Sequence, residues 1–384
     1  MTRRVDPGLL IELKQYGRVE VETCFNCGNC TAICPLTTDD ENYPRRVIRF
    51  AQLGLKDRLI ASKDIWLCYY CGECSTTCPR QVNPGEFMAV ARRYAIAQHD
   101  VSGLAGALYR SAWFNAIFTI VLTIVFSLFL LSVRQSAPIG RLALFEFIPE
   151  VYIQIVGLAV LAIMALAALA QMVKMTRDIS RVNNGVPHTR FNTWQALRVT
   201  LLEVFNQKRY RHTACEEKPG TPWYLRKWVV HATMLYGFLG LLLATALDFL
   251  FKPVGSMVPL YYPMRLLGTC AGLLLMYGTS LALIRRLKRQ DESTSHSHHS
   301  DWTLLILMWL VGFTGFVLEI AVYAVLPAIL GYVTLIVHIA LAMDVLILLP
   351  FSKFAHAYYR SMALFLHSRK PLEQPRDQAA TVEA

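Results

Sequence analysis

Residues 24–35 read CFNCGNCTAICP and residues 68–79 read CYYCGECSTTCP. The spacing C-x2-C-x2-C-x3-C-P thus recurs at a constant offset of 44 residues. Eight of the ten cysteines lie in these two runs, and only Cys215 and Cys270 stand outside them. Three thiolates on one tight loop can cap three irons of a cubane. The fourth, set back by three residues and followed by proline, turns away to ligate the other cubane. Gly28 and Gly72 stand where such a loop needs an unhindered backbone. The runs therefore predict two [4Fe–4S] clusters, the first on Cys24, Cys27, Cys30 and Cys78, the second on Cys68, Cys71, Cys74 and Cys34. Structural zinc favours paired C-x2-C knuckles, and disulfides do not suit a cytoplasmic domain. Cys215 and Cys270 read as ordinary thiols.

The 33 residues between Cys34 and Cys68 exceed the connection of a small ferredoxin. Within them, Pro44–Leu59 reads as a helix with Val47, Phe50, Ala51 and Leu55 on one face. Residues 1–105 are thus predicted to form a helical two-cluster ferredoxin domain. Met1–Val21 is polar and charged, and reads as carrying no cleavable signal segment.

Beyond this domain the composition changes. The chain as a whole is 54% hydrophobic and 17% charged, too apolar for an ordinary soluble enzyme, a disordered tail or a secreted disulfide scaffold. Apolar segments near 111–133, 151–173, 228–250, 264–286, 302–326 and 328–352 are each long enough to cross a hydrocarbon layer of about 30 Å. Residues 106–366 are therefore predicted to be a six-helix transmembrane bundle, with 367–384 a polar tail. The segments 1–110, 174–227, 285–300 and 353–384 hold 34 of the 38 Lys and Arg residues. Arg134, Arg141, Lys252 and Arg265 are left for the opposite side. This bias predicts a multi-pass protein of the cytoplasmic membrane with both termini and the cysteine domain in the cytoplasm. The net charge of +11 is then a topological signal, and no nucleic-acid partner is expected.

Two connections carry signals of their own. In 174–227, Asn192 is placed to cap a helix whose Trp194, Leu197, Leu201, Leu202 and Phe205 recur at helical spacing. That is the pattern of a basic amphipathic helix lying in a membrane surface, as a structural skirt or a docking surface. Residues 290–300, with His296, His298 and His299, read as a flexible linker.

Imidazoles near a bilayer are costly and usually functional. His231, near the start of span three, and His356, just past span six, fall at similar depth on antiparallel helices. Such a pair suits bis-histidine haem ligation. His338 stands 18 residues before His356; an unbroken helix would put both on one face, about 27 Å apart. Glu319 on span five lies at a depth similar to that of His338, and Asp344 lies mid-span in helix six. Both acids are candidates for proton transfer. His99 needs no special role.

The N-terminal part, with both cysteine runs and Trp66-Leu67-Cys68, resembles the C-type iron–sulfur subunit of heterodisulfide reductases. The membrane part, through His231-Ala-Thr-Met-Leu-Tyr236-Gly237-Phe238 and the run from His338 to His356, is similar to the cytochrome b subunits of those enzymes and of respiratory nitrate reductase. Their fusion in this order resembles the QmoC-type subunits of the quinone-interacting membrane-bound oxidoreductases. The resemblance implies haem b held by His231 and His356. Where the nitrate-reductase cytochrome has a second histidine on the helix matching span three, this chain has Leu241. His338 is left to a second haem or a quinone site. The implied partners are two cytoplasmic flavin and iron–sulfur subunits of the QmoA and QmoB type, a menaquinone or other quinone, and adenylylsulfate reductase in dissimilatory sulfur metabolism. The chain carries neither G-x-G-x-x-G nor a Cys-Cys pair, so a dinucleotide site or heterodisulfide-type cluster would come from partners. A heterodisulfide-type or sulfite-reduction subunit, a membrane-anchored iron–sulfur sensor and a transporter with a ferredoxin appendage are the alternatives.

Overall fold

The computed structural model describes residues 5–37, 43–136, 142–182, 192–213, 220–253, 258–289, 292–324 and 327–369. Among them every regular element is helical, and the described residues before Ala112 form a domain that carries both cysteine runs. That domain is built around the helix Pro84–His99, which begins where the Asn83 side chain accepts the Glu86 N–H and Pro84 takes the first turn. Its Phe87 and Tyr94 share a buried core with Leu9, Leu13, Val47, Ile48, Ile65 and Trp66. The 44-residue repeat is a backbone repeat as well. Gly28 and Gly72 adopt φ of 91° and 100° and each starts a one-turn helix. Asn26 and Tyr70 are also left-handed, and their N–H groups donate to Cys24 Sγ at 3.4 Å and Cys68 Sγ at 3.3 Å.

The intervening helix differs from the sequence expectation. It runs Arg45–Gln52, breaks, and resumes as Lys56–Ile60. The break falls at Gly54, whose φ of +65° and approach to Asp6 leave no room for a side chain: a Cβ there would sit 2.3 Å from the Asp6 carbonyl oxygen. Val47 and Ala51 are buried as expected, while Phe50 and Leu55 are only partly so.

Among the described residues six helices are long and apolar enough to cross a membrane: Ala112–Ser132, Glu150–Val182, Lys227–Phe251, Pro263–Lys288, His299–Tyr323 and Ala328–Leu348, here spans one to six. Spans one and two expose Ile117, Leu128, Ile163 and Leu166, as lipid-facing helices do. Spans three and four meet through small residues. A Cβ added at Gly237 would lie 2.6 Å from the Leu275 backbone nitrogen, and one at Gly278 equally close to Met234 and Thr233. In lipid such close backbone approach replaces the hydrophobic effect as the source of association. Gly237→Ala is therefore expected to lower stability by about 1–3 kcal/mol, read as an earlier unfolding midpoint in detergent.

Span two is longer than its apolar stretch. Its charged end, Lys174–Val182, continues past the apolar stretch and buries Met175 and Ile179 in the core shared with the cysteine domain. Lys174 Nζ donates to the Gln98 carbonyl at 2.6 Å. Span six is shorter than expected and ends at Leu348. Pro350 has no N–H to continue the ladder, and after a turn the chain starts a separate helix, His356–Ser368, here the return helix. His338 and His356 are consequently not on one helix face, which corrects the sequence reading.

The return helix locks the two halves together. Tyr359 stacks on Trp66 with centroids 4.6 Å apart and planes at 7°. Arg360 donates to the carbonyls of Trp66 at 2.9 Å and Cys68 at 3.2 Å. The connector also docks: Arg18 donates to His296 at 2.9 Å, Asn83 lies 3.4 Å from the other ring nitrogen, and His299 Nε2 lies 2.8 Å from the Leu108 carbonyl oxygen. A short polar segment reads as a linker from composition; its partners come from distant sequence.

Candidate functional site: two thiol sets beneath a histidine pair

The structure sorts the eight thiols into two neighbouring sets. Cys34, Cys68, Cys71 and Cys74 line one cleft, with Pro35, Tyr43, Tyr70 and Gly85 around them. Cys24, Cys27 and Cys78 act electrostatically on Cys30. Burial pushes the Cys30 thiol up to about 11, and Cys34 and Cys74 rise for the same reason, with neighbouring sulfurs adding to the effect. Iron binding must displace those protons, so ligation and deprotonation are coupled. Among the described residues no three His, Cys, Asp or Glu side chains converge as a single metal ion would require; a cubane holds its thiolates further apart than one ion does. The donor chemistry, all sulfur with backbone N–H groups aimed at Cys24 and Cys68, fits iron–sulfur clusters.

The two sets differ in surroundings. Cys27 is exposed, and Phe25 beside it is 60% exposed, so the first set faces outward. The second faces the membrane part. Arg92 donates to the Cys68 carbonyl at 2.6 Å, and the Arg360 guanidinium lies 4.0 Å over the Tyr69 ring.

Just beyond stand His231 and His356, the first near enough to act electrostatically on the second. His231 Nδ1 is 3.1 Å from Gln207 Oε1, and His356 Nδ1 is 2.5 Å from the Lys353 carbonyl oxygen. Both partners are acceptors only, so each ring carries its proton on Nδ1 and keeps Nε2 for a ligand. Burial holds the His356 pKa down to about 3, which keeps this ring neutral. Lys353 is anchored in turn, with Nζ 2.5 Å from Asp301 at the start of span five. Two imidazoles with fixed tautomers, from different helices, are a donor set that fits haem iron.

The remaining candidates are placed apart. His338 Nδ1 pairs with Thr314 Oγ1 at 2.9 Å, and a Cβ at Gly315 would lie 3.2 Å from the ring. Glu319 accepts from Thr269 on span four at 2.5 Å, and it is not hydrogen-bonded to His338. Asp344 is wholly buried; Thr123 of span one contacts one carboxylate oxygen, and the other has no partner. Cys270 is exposed, and Cys215 lies outside the described residues.

Sequence reasoning missed several residues. The surface helix Thr193–Asn206 forms with Asn192 capping Gln195 N at 3.0 Å, and Trp194, Leu201 and Phe205 are exposed on it. It ends at Gln207, whose link to His231 no spacing revealed. Tyr359 and Arg360 had a faint signal, following His356 by three and four residues on a helix. His99 is fully buried, with its ring 5.6 Å from Tyr359 and Nε2 3.5 Å from Asp178.

Comparison with known proteins follows the same division. Residues 23–83 match the family described as a 4Fe-4S dicluster domain, and residues 101–380 match the family described as citrate utilization protein B. The C-type subunit of the H(2):CoB-CoM heterodisulfide,ferredoxin reductase of Methanothermobacter marburgensis is 35% identical over 91 residues, 24% of this chain and 49% of that protein. A protein of Archaeoglobus profundus that is itself like the C-type heterodisulfide reductase subunits is 35% identical over 94 residues, 24% and 50% of the two chains. The C-type iron–sulfur subunit of the CoB--CoM heterodisulfide reductase of Methanopyrus kandleri is 36% identical over 77 residues, 20% and 40%. The chain spans half or less of the length of these relatives. No solved structure matches. The membrane part and most of the chain's length thus place it in one family, with an iron–sulfur domain like that of the C-type heterodisulfide reductase subunits ahead of it: the chain belongs to the citrate utilization protein B (CitB) family.

Proposed function

We propose that this protein is the membrane electron-transfer subunit of a quinone-interacting oxidoreductase complex. Its iron–sulfur domain and both termini would face the cytoplasm, the side that carries most of the Lys and Arg. The first cluster would sit on Cys24, Cys27, Cys30 and Cys78, the second on Cys68, Cys71, Cys74 and Cys34, and haem b between His231 and His356. Bound there, these groups supply one-electron transfer, which joins a two-electron quinone to a flavoprotein partner. The observation that carries the reading is the packing of the Cys68 loop, through Trp66 and Tyr69, against Tyr359 and Arg360 of the return helix, whose first residue is His356. The exposed first set is the face for soluble partners: two flavin and iron–sulfur subunits of the QmoA and QmoB type, serving adenylylsulfate reductase. A second reading of the partner rests on the match of residues 101–380: a soluble enzyme of citrate utilization. Co-purification of the intact complex separates the two.

Within the membrane, Glu319 and Asp344 are the acids available to take up or release quinol protons, and His338 is the imidazole available to a second haem or to a quinone. Glu319→Gln is expected to slow menaquinol oxidation at least tenfold and flatten its pH profile; unchanged turnover and profile would remove Glu319 from the proton path. The reading as a whole is tested by adding a menaquinol analogue anaerobically to the full-length protein in liposomes. A b-type α-band and iron–sulfur reduction are expected. Absence of the α-band would favour an iron–sulfur sensor.

A further inference from the structure

The surface helix was open to two readings, a skirt on the membrane or a docking surface. Its C-terminal corner does something neither describes. Gln207 ends the helix in a left-handed conformation, φ 49°, and is 7% exposed. That turn delivers its amide oxygen to His231 Nδ1 at 3.1 Å. One helical turn earlier, Glu203 accepts the Tyr69 hydroxyl at 2.9 Å, and Tyr69 follows Cys68 directly. Three residues after Gln207, Tyr210 stacks on Tyr69 with centroids 5.3 Å apart and makes a T-shaped contact with His231 at 5.7 Å. The corner is itself pinned to span three, where Tyr236 donates to the Phe205 carbonyl and Trp228 carries the Arg211 guanidinium at 4.6 Å. Residues 203, 207 and 210 therefore touch the Cys68 loop, the His231 ring and both of these, in that order.

We propose that this corner is a positioning device that fixes the His231 ring for axial ligation and ties it to the loop carrying Cys68 and Cys71, with Gln207 the positioning residue. The inference rests on the reading of His231 as a haem ligand. An imidazole that donates Nδ1–H to a carbonyl oxygen presents Nε2 to the metal and is a more basic ligand than one without that acceptor. A more basic ligand stabilises oxidised iron. Removing the acceptor should raise the haem potential, and replacing it by a carboxylate should lower it.

The experiment is a spectroscopic redox titration of the full-length protein in wild-type, Gln207→Leu and Gln207→Glu forms, with haem content and iron–sulfur signals measured alongside. Gln207→Leu is expected to shift the ratio of reduced to oxidised haem at fixed poise at least threefold toward reduced. That is about 28 mV for a one-electron couple. Gln207→Glu is expected to shift it at least as far the other way, with the iron–sulfur signals unchanged in both. Equal-signed shifts, or none reaching threefold, would overturn the proposal; a merely structural role gives no reason for opposite signs. If the leucine variant does not assemble, the sign of the glutamate shift decides. Wild-type protein without low-spin bis-imidazole haem would overturn the axial-ligand reading, and this inference with it.

Discussion

His356→Ala is expected to lower haem per polypeptide at least tenfold while leaving the iron content intact. The ring is neutral, its Nδ1 proton is held by the Lys353 carbonyl, and its partner His231 comes from another helix. If these rings are the proposed axial pair, losing one would leave the macrocycle tethered on one face only. A tenfold loss corresponds to about 1.4 kcal/mol, less than the worth of a hydrogen-bonded metal ligand, so it is a lower bound. Alanine is a good helix former, so the return helix should persist and keep Tyr359 on Trp66 and Arg360 on the Cys68 carbonyl. The cysteine domain should therefore assemble as before. Pyridine haemochrome and iron assays on one preparation check both halves. His338→Ala, whose ring pairs with Thr314 in another part of the bundle, is expected to retain the haem proposed for His231 and His356.

The second large effect concerns the crossed ligation. Cys34 lies in the first cysteine run but lines the cleft of Cys68, Cys71 and Cys74, and Cys78 acts on Cys30 from the second run. Cys34→Ser and Cys71→Ser should each cost about half the iron, four atoms of about eight. Combined, they should cost no more than either alone, because one cluster cannot be lost twice. Cys34→Ser with Cys27→Ser should remove nearly all of it. Residues acting as one unit are non-additive and independent sites add; iron analysis and quantified EPR of the four variants read the difference. If Cys34→Ser adds instead to Cys71→Ser and not to Cys27→Ser, each run ligates its own cluster.

What the sequence disclosed followed the range of the physics involved. The cysteine runs, the Asn192 cap and the hydropathy of the six spans are local signals, and the tight loops and helices at those places formed. The break at Gly54 was harder to see, because its cause is the Asp6 carbonyl brought close by folding. Pro350 was visible, but a proline says where a helix stops and not where the chain goes next. The return helix meets Trp66 across a separation of 294 residues, and helical periodicity reports a face without naming what covers it. The same holds for Gln207: a glutamine at a helix end carries no mark of the imidazole it will reach. The charged extension of span two was misjudged because hydropathy measures lipid contact, while Met175 and Ile179 are buried against protein.

Iron, haem and their reducibility in a single anaerobic preparation of the full-length protein test the electron-transfer account most directly. About eight iron atoms and at least one b-type haem per polypeptide, all reduced on addition of a menaquinol analogue, is the result expected. Zinc in place of iron, or iron clusters without any haem, would contradict it.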